Sequence, residues 1–183
     1  MSRTDGFQYK IDESYEYYMN NWVGEMDLVC VPSSQVSLML SWLFIGTIAS
    51  VALVTVPDQF GRKYSVILGM IIALLAQIVM LLVPSLLVRS ICFFLIGFSG
   101  FKNSTAYVWG SECVPFKKRT AVFTVINVVD ALPTVITGLF YLLIKPDWFP
   151  VYAFNIALSS SGLLLAFACP ESPRWLLYSG KQA

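Results

Sequence analysis

Five uninterrupted apolar runs occupy most of this 183-residue chain. They cover residues 35–56, 64–83, 86–109, 120–144 and 149–168. A run of about 20 to 25 residues measures about 30 Å as an α-helix, which is the thickness of the hydrocarbon core of a bilayer. Because lipid offers no hydrogen-bond partner to a free backbone group, such runs are expected to be helices. The sequence therefore predicts an all-α, polytopic membrane protein with five transmembrane helices.

Composition excludes several other classes of protein. Charged residues make up 13% of the chain, about half the share of a typical soluble domain. The hydrophobic share of 57% excludes intrinsic disorder. Transmembrane β-strands would be shorter than these runs and would alternate in polarity, which the runs do not, so a β-barrel is not expected. A net charge of +1 gives no reason to expect nucleic acid as a partner. Without histidine, and without metal-ligand spacing among the four cysteines, we expect no enzyme, no metal site and no cofactor.

The distribution of basic residues predicts which way the bundle faces. If the helices alternate in direction, one side receives Arg62, Lys63, Lys117, Lys118, Arg119, Arg174 and Lys181, and the other receives Arg3, Lys10, Arg89 and Lys145. The side richer in lysine and arginine is normally cytoplasmic. We therefore expect the polar segment 1–34 outside the cell or in a lumen, the bundle at 35–169, and a cytoplasmic interfacial segment at 170–183. The sequence does not distinguish the plasma membrane from an organelle membrane.

Three motifs fall on the predicted cytoplasmic side, and they carry a family resemblance. Residues 58–63 read DQFGRK, residues 112–119 read ECVPFKKR and residues 169–177 read CPESPRWLL. All three resemble loops of the major facilitator superfamily, in its sugar and organic-ion branches. Residues 25–30, EMDLVC, resemble the stretch before helix two in the organic cation/anion branch. The chain thus resembles helices two to six of an N-terminal transporter half, without helix one and without the second half.

The resemblance implies a function and a set of residues. It implies transport of a small organic solute, either an organic ion or a sugar-like compound, by alternating access, with the bilayer, the solute and the missing second half as partners. A loop charge network would control gating, formed by Asp58, Gly61, Arg62, Lys63, Glu112, Arg119, Glu171 and Arg174. Two alternatives stay open: the loop charges only anchor the helices, or the chain is a truncated membrane subunit that does not transport.

The sequence departs from the family pattern at three positions. Val54 stands where the family has a glycine, Gln59 where it has a basic residue, and Phe93 where it has an arginine in the fourth helix. Arg89 lies one turn before Phe93. Roles that the family assigns to that arginine therefore do not transfer to this chain.

Two charges are predicted to lie inside the membrane. Lys102 comes ten residues before Glu112, and Asp130 comes eleven residues after Arg119, so both are about 15 Å deep at 1.5 Å per residue. An unpaired charge at that depth costs roughly 2.5 to 3.5 kcal/mol. We expect Lys102 and Asp130 to contact each other or a solute. Further polar residues for the same cavity, or for contacts between helices, are Asn103, Asn127 and Gln77.

Overall fold

The computed structural model describes residues 31–143 and 147–178. Only residues 31–34 of the predicted N-terminal segment are among them, so the EMDLVC stretch and Cys30 lie outside the described residues. The helices are α1 (Ser33–Ser50), α2 (Val56–Phe60), α3 (Arg62–Leu82), α4 (Leu86–Phe98), α5 (Phe101–Glu112), α6 (Arg119–Leu143), α7 (Trp148–Ala168) and α8 (Pro173–Tyr178). Short 3₁₀ helices at Val51–Leu53 and Phe116–Lys118 complete the order.

Within residues 31–143 and 147–178, five helical segments are long and apolar enough to cross a membrane. They are Ser33–Leu53, Arg62–Leu82, Leu86–Glu112, Phe116–Leu143 and Trp148–Leu177. Each coincides with one of the five apolar runs, which confirms the predicted all-α, polytopic fold class. The chain is therefore an integral, multi-pass membrane protein.

Two local features go beyond the pattern of apolar runs. Between the first two runs lies the short helix α2, which Gly61 ends with a φ of 106°. The third apolar run is not one regular helix, because α4 ends at Phe98 and α5 begins at Phe101. At this break the fully buried Ser99 donates its hydroxyl to the carbonyl of Ile96 at 2.7 Å. A short polar side chain that bonds its own helix in this way competes with the regular backbone ladder.

The tightest packing lies where α1 crosses α4. A Cβ added to Gly97 would collide with the carbonyl oxygen of Leu43, and one added to Gly46 would collide with that of Phe94. The two backbones therefore touch at two glycines, one on each helix. In lipid, where apolar burial adds little, close approach of small residues is a main source of helix association.

Helix α3 lies centrally and packs against α4, α5 and α7. Its buried face consists mainly of small or β-branched residues: Ser65, Val66, Ile67, Gly69, Ala73 and Ala76. Ser65, Gly69, Ala73 and Ala76 follow one another at spacings of four, four and three residues, which puts these four on one side of the helix. Helix α6, by contrast, packs mainly against α5 and contains no buried residue.

Candidate functional site

The three charged motifs meet at one end of the bundle. We call this cluster the charged end and define it as Asp58, Gly61, Arg62, Lys63, Glu112, Glu171 and Ser172. It joins the start of α3, the end of α5 and the segment between α7 and α8. The chain separates Lys63 from Glu171 by 108 positions, so only the fold brings them together.

Arg62 bridges two carboxylates of different exposure. Its Nη2 lies 3.0 Å from Oδ1 of Asp58, and its Nε lies 3.0 Å from Oε2 of Glu112. The Asp58 side chain is 64% exposed, whereas that of Glu112 is 5% exposed. An exposed ion pair contributes about 0 to 1 kcal/mol, but removing one partner of a buried pair strands a charge in a poorly solvated site. The Arg62–Glu112 contact therefore dominates.

Glu112 also holds the segment that follows α7. The hydroxyl of Ser172 donates to Oε2 of Glu112 at 2.5 Å, and Ser172 is fully buried. The backbone N–H of Trp175 donates to the same hydroxyl oxygen at 3.4 Å. Ser172 thus occupies the N-cap position of α8 while it ties α8 to the end of α5.

Glu171 caps helix α3 from a distant part of the chain. Its Oε1 accepts the backbone N–H of Lys63 at 2.9 Å and that of Ser172 at 3.0 Å. The first N–H groups of a helix have no acceptor within the helix, and a carboxylate there also interacts favourably with the helix dipole. In return, Nζ of Lys63 donates to the carbonyl of Phe167 at 2.8 Å, in the last turn of α7. The start of α3 and the end of α7 are therefore bound to each other twice.

Gly61 is required by both its conformation and its surroundings. Its φ of 106° lies in a region that favours glycine. A Cβ at this position would lie 3.0 Å from Oε2 of Glu171 and 3.5 Å from Cε2 of Trp175. Any side chain here would push Glu171 away from the N-terminus of α3.

Arg119 and Arg174, the remaining members of the predicted network, are placed differently. The Arg119 guanidinium lies 5.5 Å from the centre of the Phe116 ring. Arg119 forms no ion pair with any acid in the part of the chain that the structure describes. Arg174 is exposed in α8, two residues after Ser172. Five of the seven charged residues predicted for the network therefore meet at the charged end, and the uncharged Ser172 belongs to the same cluster.

Ser172 is the residue that reasoning from the sequence missed. Its signal was present, because a serine directly before a proline at the start of a short helical stretch is typical of an N-cap. The charge pattern directed attention to Glu171, directly before Ser172, and to Arg174, two residues after it. The uncharged serine between them was not considered.

Two exposed cysteines lie beside the charged end. Cys113 and Cys169 have free thiols, and they directly follow α5 and α7. Burial raises the pKa of the Cys113 thiol, and the nearby Glu112, Cys169 and Glu171 raise it further. The thiolate of Cys113 is therefore disfavoured at neutral pH.

The structure directs the two intramembrane charges toward different neighbours. Nζ of Lys102 donates to the hydroxyl of Ser99 at 3.2 Å, and its stem packs against Gly69 of α3. The Asp130 carboxylate lies 3.5 Å from the hydroxyl of Tyr107, on the side of α5 that faces α6. No ion pair joins Lys102 to Asp130 among the residues described.

The other predicted polar residues lie in three different places. Oδ1 of Asn127 lies 3.4 Å from the Tyr107 hydroxyl, next to Asp130. Tyr107 also stacks on Phe123 of α6, with ring centres 6.2 Å apart. Asn103 is exposed on α5. Gln77 lies on α3, where its backbone carbonyl accepts the hydroxyl of Tyr152 from α7 at 2.9 Å.

In the described part of the chain, five membrane-length segments whose charged loops meet at one end define a multi-pass membrane protein. The profile of the family described as "Sugar (and other) transporter" matches residues 4–183. The chain belongs to this family. It is a transporter-family protein and not an enzyme.

Several relatives carry names from the organic-ion branch. The chain is 28% identical to organic cation/carnitine transporter 2 of Rattus norvegicus over 97% of this chain and 31% of the relative. It is 30% identical to organic cation/carnitine transporter 5 of Arabidopsis thaliana over 87% of this chain and 32% of the relative. It is 29% identical to solute carrier family 22 member 2 of Homo sapiens over 92% of this chain and 31% of the relative. The chain therefore spans about a third of the length of these relatives.

Proposed function

We propose that this chain takes part in moving a small organic solute across a membrane by alternating access. It would do so together with a second transporter half, and with the charged end toward the cytoplasm. The observation that carries the proposal is the Glu112 carboxylate, which binds Arg62 at the start of α3 and Ser172 from the segment between α7 and α8. One buried group thus links three helix ends that lie at the same side of the membrane.

The modest strength of the contacts at the charged end suits a protein that alternates between two conformations. Alternating access needs two conformations that differ by only a few kcal/mol, so that solute binding can shift their populations. The exposed Asp58–Arg62 pair contributes about 0 to 1 kcal/mol, and the shielded Glu112 site supplies the larger part. Separation of the helix ends would open Glu112 to water, which compensates part of the lost contacts.

We propose the polar group between α5 and α6 as part of the solute path. Asp130, Asn127 and Tyr107 bring together a carboxylate, an amide and a phenol at membrane depth, beside the Phe123 ring. A carboxylate next to aromatic rings suits the cationic group of an organic ion. Lys102 would supply a positive charge on the opposite side of α5, where an anionic or hydroxyl group of the solute could bind. The names of the relatives favour an organic ion over a sugar-like compound.

A chimera with a relative tests the function directly. The chain would replace the matching region of the rat organic cation/carnitine transporter 2, and uptake of labelled carnitine and tetraethylammonium would be measured in proteoliposomes. Asp130→Asn should lower uptake roughly tenfold or more, as expected when a charge-assisted contact is lost. Asp147→Asn, which removes the same charge outside the membrane spans, should leave uptake within about twofold, since it lies away from the proposed path.

The alternative is a membrane subunit with a structural role and no transport. It is favoured if the chimera is folded and inserted but takes up neither compound. Uptake by the chain alone in proteoliposomes would instead show that no second half is needed, which would contradict the proposed partner while supporting transport.

Orientation has its own test. In a Cys30→Ser background, a membrane-impermeant maleimide added to intact cells should not label Cys113 or Cys169, and should label both after permeabilisation. Labelling in intact cells would place the charged end outside and overturn the proposed topology.

A further inference from the structure

The turn between α5 and α6 presents a basic and aromatic surface at the charged end. We call residues 116–119 the basic turn; it comprises the 3₁₀ helix Phe116–Lys118 and the first residue of α6. The Phe116 side chain is 83% exposed, and Lys117 and Lys118 are both exposed. Its sequence, FKKR, carries three positive charges in three consecutive residues.

These charges are not neutralised by the acids closest to them in the fold. Glu112 forms an ion pair with Arg62 and accepts a hydrogen bond from Ser172. Glu171 accepts hydrogen bonds from the backbone N–H groups of Lys63 and Ser172. Within the described ranges 31–143 and 147–178, no carboxylate lies within ion-pair distance of Lys117, Lys118 or Arg119. The acids of the charged end thus contact groups other than the basic turn, which keeps its net positive charge.

The exposed phenylalanine distinguishes this surface from an ordinary solvated charge. An exposed aromatic ring beside the ends of two membrane helices is suited to the interfacial layer of a bilayer. The Arg119 guanidinium lies 5.5 Å from the centre of that ring, so the aromatic group and one positive charge form a single unit. Lysine side chains next to it can extend to the headgroups while their stems stay in the apolar layer.

We propose that the basic turn binds the phosphate headgroup of an anionic phospholipid. The turn directly joins α5 to α6, so its position at the bilayer surface follows from the spans themselves and does not depend on solute transport. An acidic peptide would meet the same charges, but it would leave the exposed Phe116 ring unexplained, whereas a lipid surface accommodates both features. Basic residues close to an anionic surface each contribute about a factor of five in affinity.

The test uses the whole chain in nanodiscs of phosphatidylcholine, with phosphatidylglycerol added stepwise and bound lipid counted by native mass spectrometry. The Lys117→Gln/Lys118→Gln variant should weaken retention of phosphatidylglycerol roughly thirtyfold. Lys117→Arg/Lys118→Arg should retain the lipid, because it keeps both charges. Lys145→Gln, which removes one positive charge on the other predicted side, should match the unaltered chain.

Four results would overturn the proposal. The first is equal retention of phosphatidylglycerol and phosphatidylcholine by the unaltered chain. The second is unchanged retention in the double glutamine variant when its thermal unfolding is normal. The third is displacement of the lipid by a polyglutamate peptide but not by added anionic lipid, which would assign the turn to an acidic protein partner. The fourth is displacement of phosphatidylglycerol by inorganic phosphate at equal concentration, which would identify a free anion as the ligand. Retention of the lipid in the presence of phosphate supports the proposal.

Discussion

Helices α4 and α6 are both apolar, both belong to membrane-spanning segments and both contain a glycine, yet they are held very differently. On α4, Gly97 lies against the backbone of α1, and a Cβ there would meet the Thr47 nitrogen at 3.0 Å. On α6, a Cβ added to Gly138 would have nothing within 4 Å. Helix α6 contains no buried residue, whereas Arg89, Cys92 and Gly97 of α4 are buried.

The difference teaches that hydrophobicity inserts a helix but does not position it. Lipid surrounds an apolar side chain about as favourably as protein does, so position is decided by close backbone contacts and polar bonds between helices. The helices α1, α3, α4, α5 and α7 have such contacts at the glycine crossing or at the charged end. Among the residues that the structure describes, the hydrogen bonds between α6 and other helices are the long ones from Tyr107. The predictions below test this contrast, from the largest expected effect to the smallest.

The largest effect is expected at the glycine crossing. Gly97→Leu should destabilise the bundle by about 3 kcal/mol or more, because the new side chain can be accommodated only if α1 and α4 move apart. Thermal unfolding in detergent measures the loss. The matched control, Gly138→Leu, should leave the midpoint unchanged, and equal losses at both positions would remove the contrast between α4 and α6.

The charged end should give the next largest effect. Arg62→Gln leaves Glu112 without its ion-pair partner and should cost about 2 to 3 kcal/mol, less than a fully buried pair because Arg62 keeps some exposure. Asp58→Asn removes only the exposed contact and should cost about 1 kcal/mol or less. Denaturant unfolding of the two variants side by side measures both, and a larger loss for Asp58→Asn would contradict the assigned order.

A smaller effect is expected where α7 is bound to α3 within the membrane. Tyr152→Phe removes the hydroxyl that donates to the Gln77 carbonyl at 2.9 Å, and should cost about 1 kcal/mol. Tyr141→Phe makes the same chemical change on α6. Equal shifts of the unfolding midpoint in the two variants would show that the Tyr152 contact does not fasten α7.

No change in stability is expected at the contact between α5 and α6. Tyr107→Phe removes hydrogen bonds of 3.4 and 3.5 Å, which are long for an O–H donor. The unfolding midpoint should stay within experimental error, while carnitine uptake by the chimera should fall if the phenol contacts solute. A clear loss of stability would show that α6 is fastened here after all.

Much of the charged end was foreseeable from the sequence, and specific contacts were not. The motifs placed Asp58, Arg62, Lys63, Glu112 and Glu171 on one side because helices of bilayer length alternate their ends. The sequence could not show that Glu171 bonds the backbone at the start of α3, since a carboxylate can pair with a cation or cap a helix equally well. It also gave no reason to choose Ser172 over its charged neighbours.

For the residues predicted to lie inside the membrane, the sequence did not predict which side chains meet. Equal depth followed from counting along the helices, and it suggested that Lys102 and Asp130 could meet. Two side chains meet only if they share both a depth and a direction around the helix axis, and counting residues gives the depth alone. The rotation of α5 about its axis directs Lys102 toward Gly69 of α3 and Tyr107 toward α6. The break at Ser99 and Gly100 was not predicted either. The length of an apolar run does not indicate whether the run forms one continuous helix.

The sequence by itself determined that this chain forms five helices across a membrane, and which loops share a side. Those features depend on the cost of exposing backbone and charge to lipid, which each segment meets independently of its neighbours. Only the tertiary structure decided which helices touch, which carboxylate caps which helix, and which residues face a common site. Those outcomes depend on atoms far apart in the chain that must meet within about 3 Å, and no local pattern specifies such a distance.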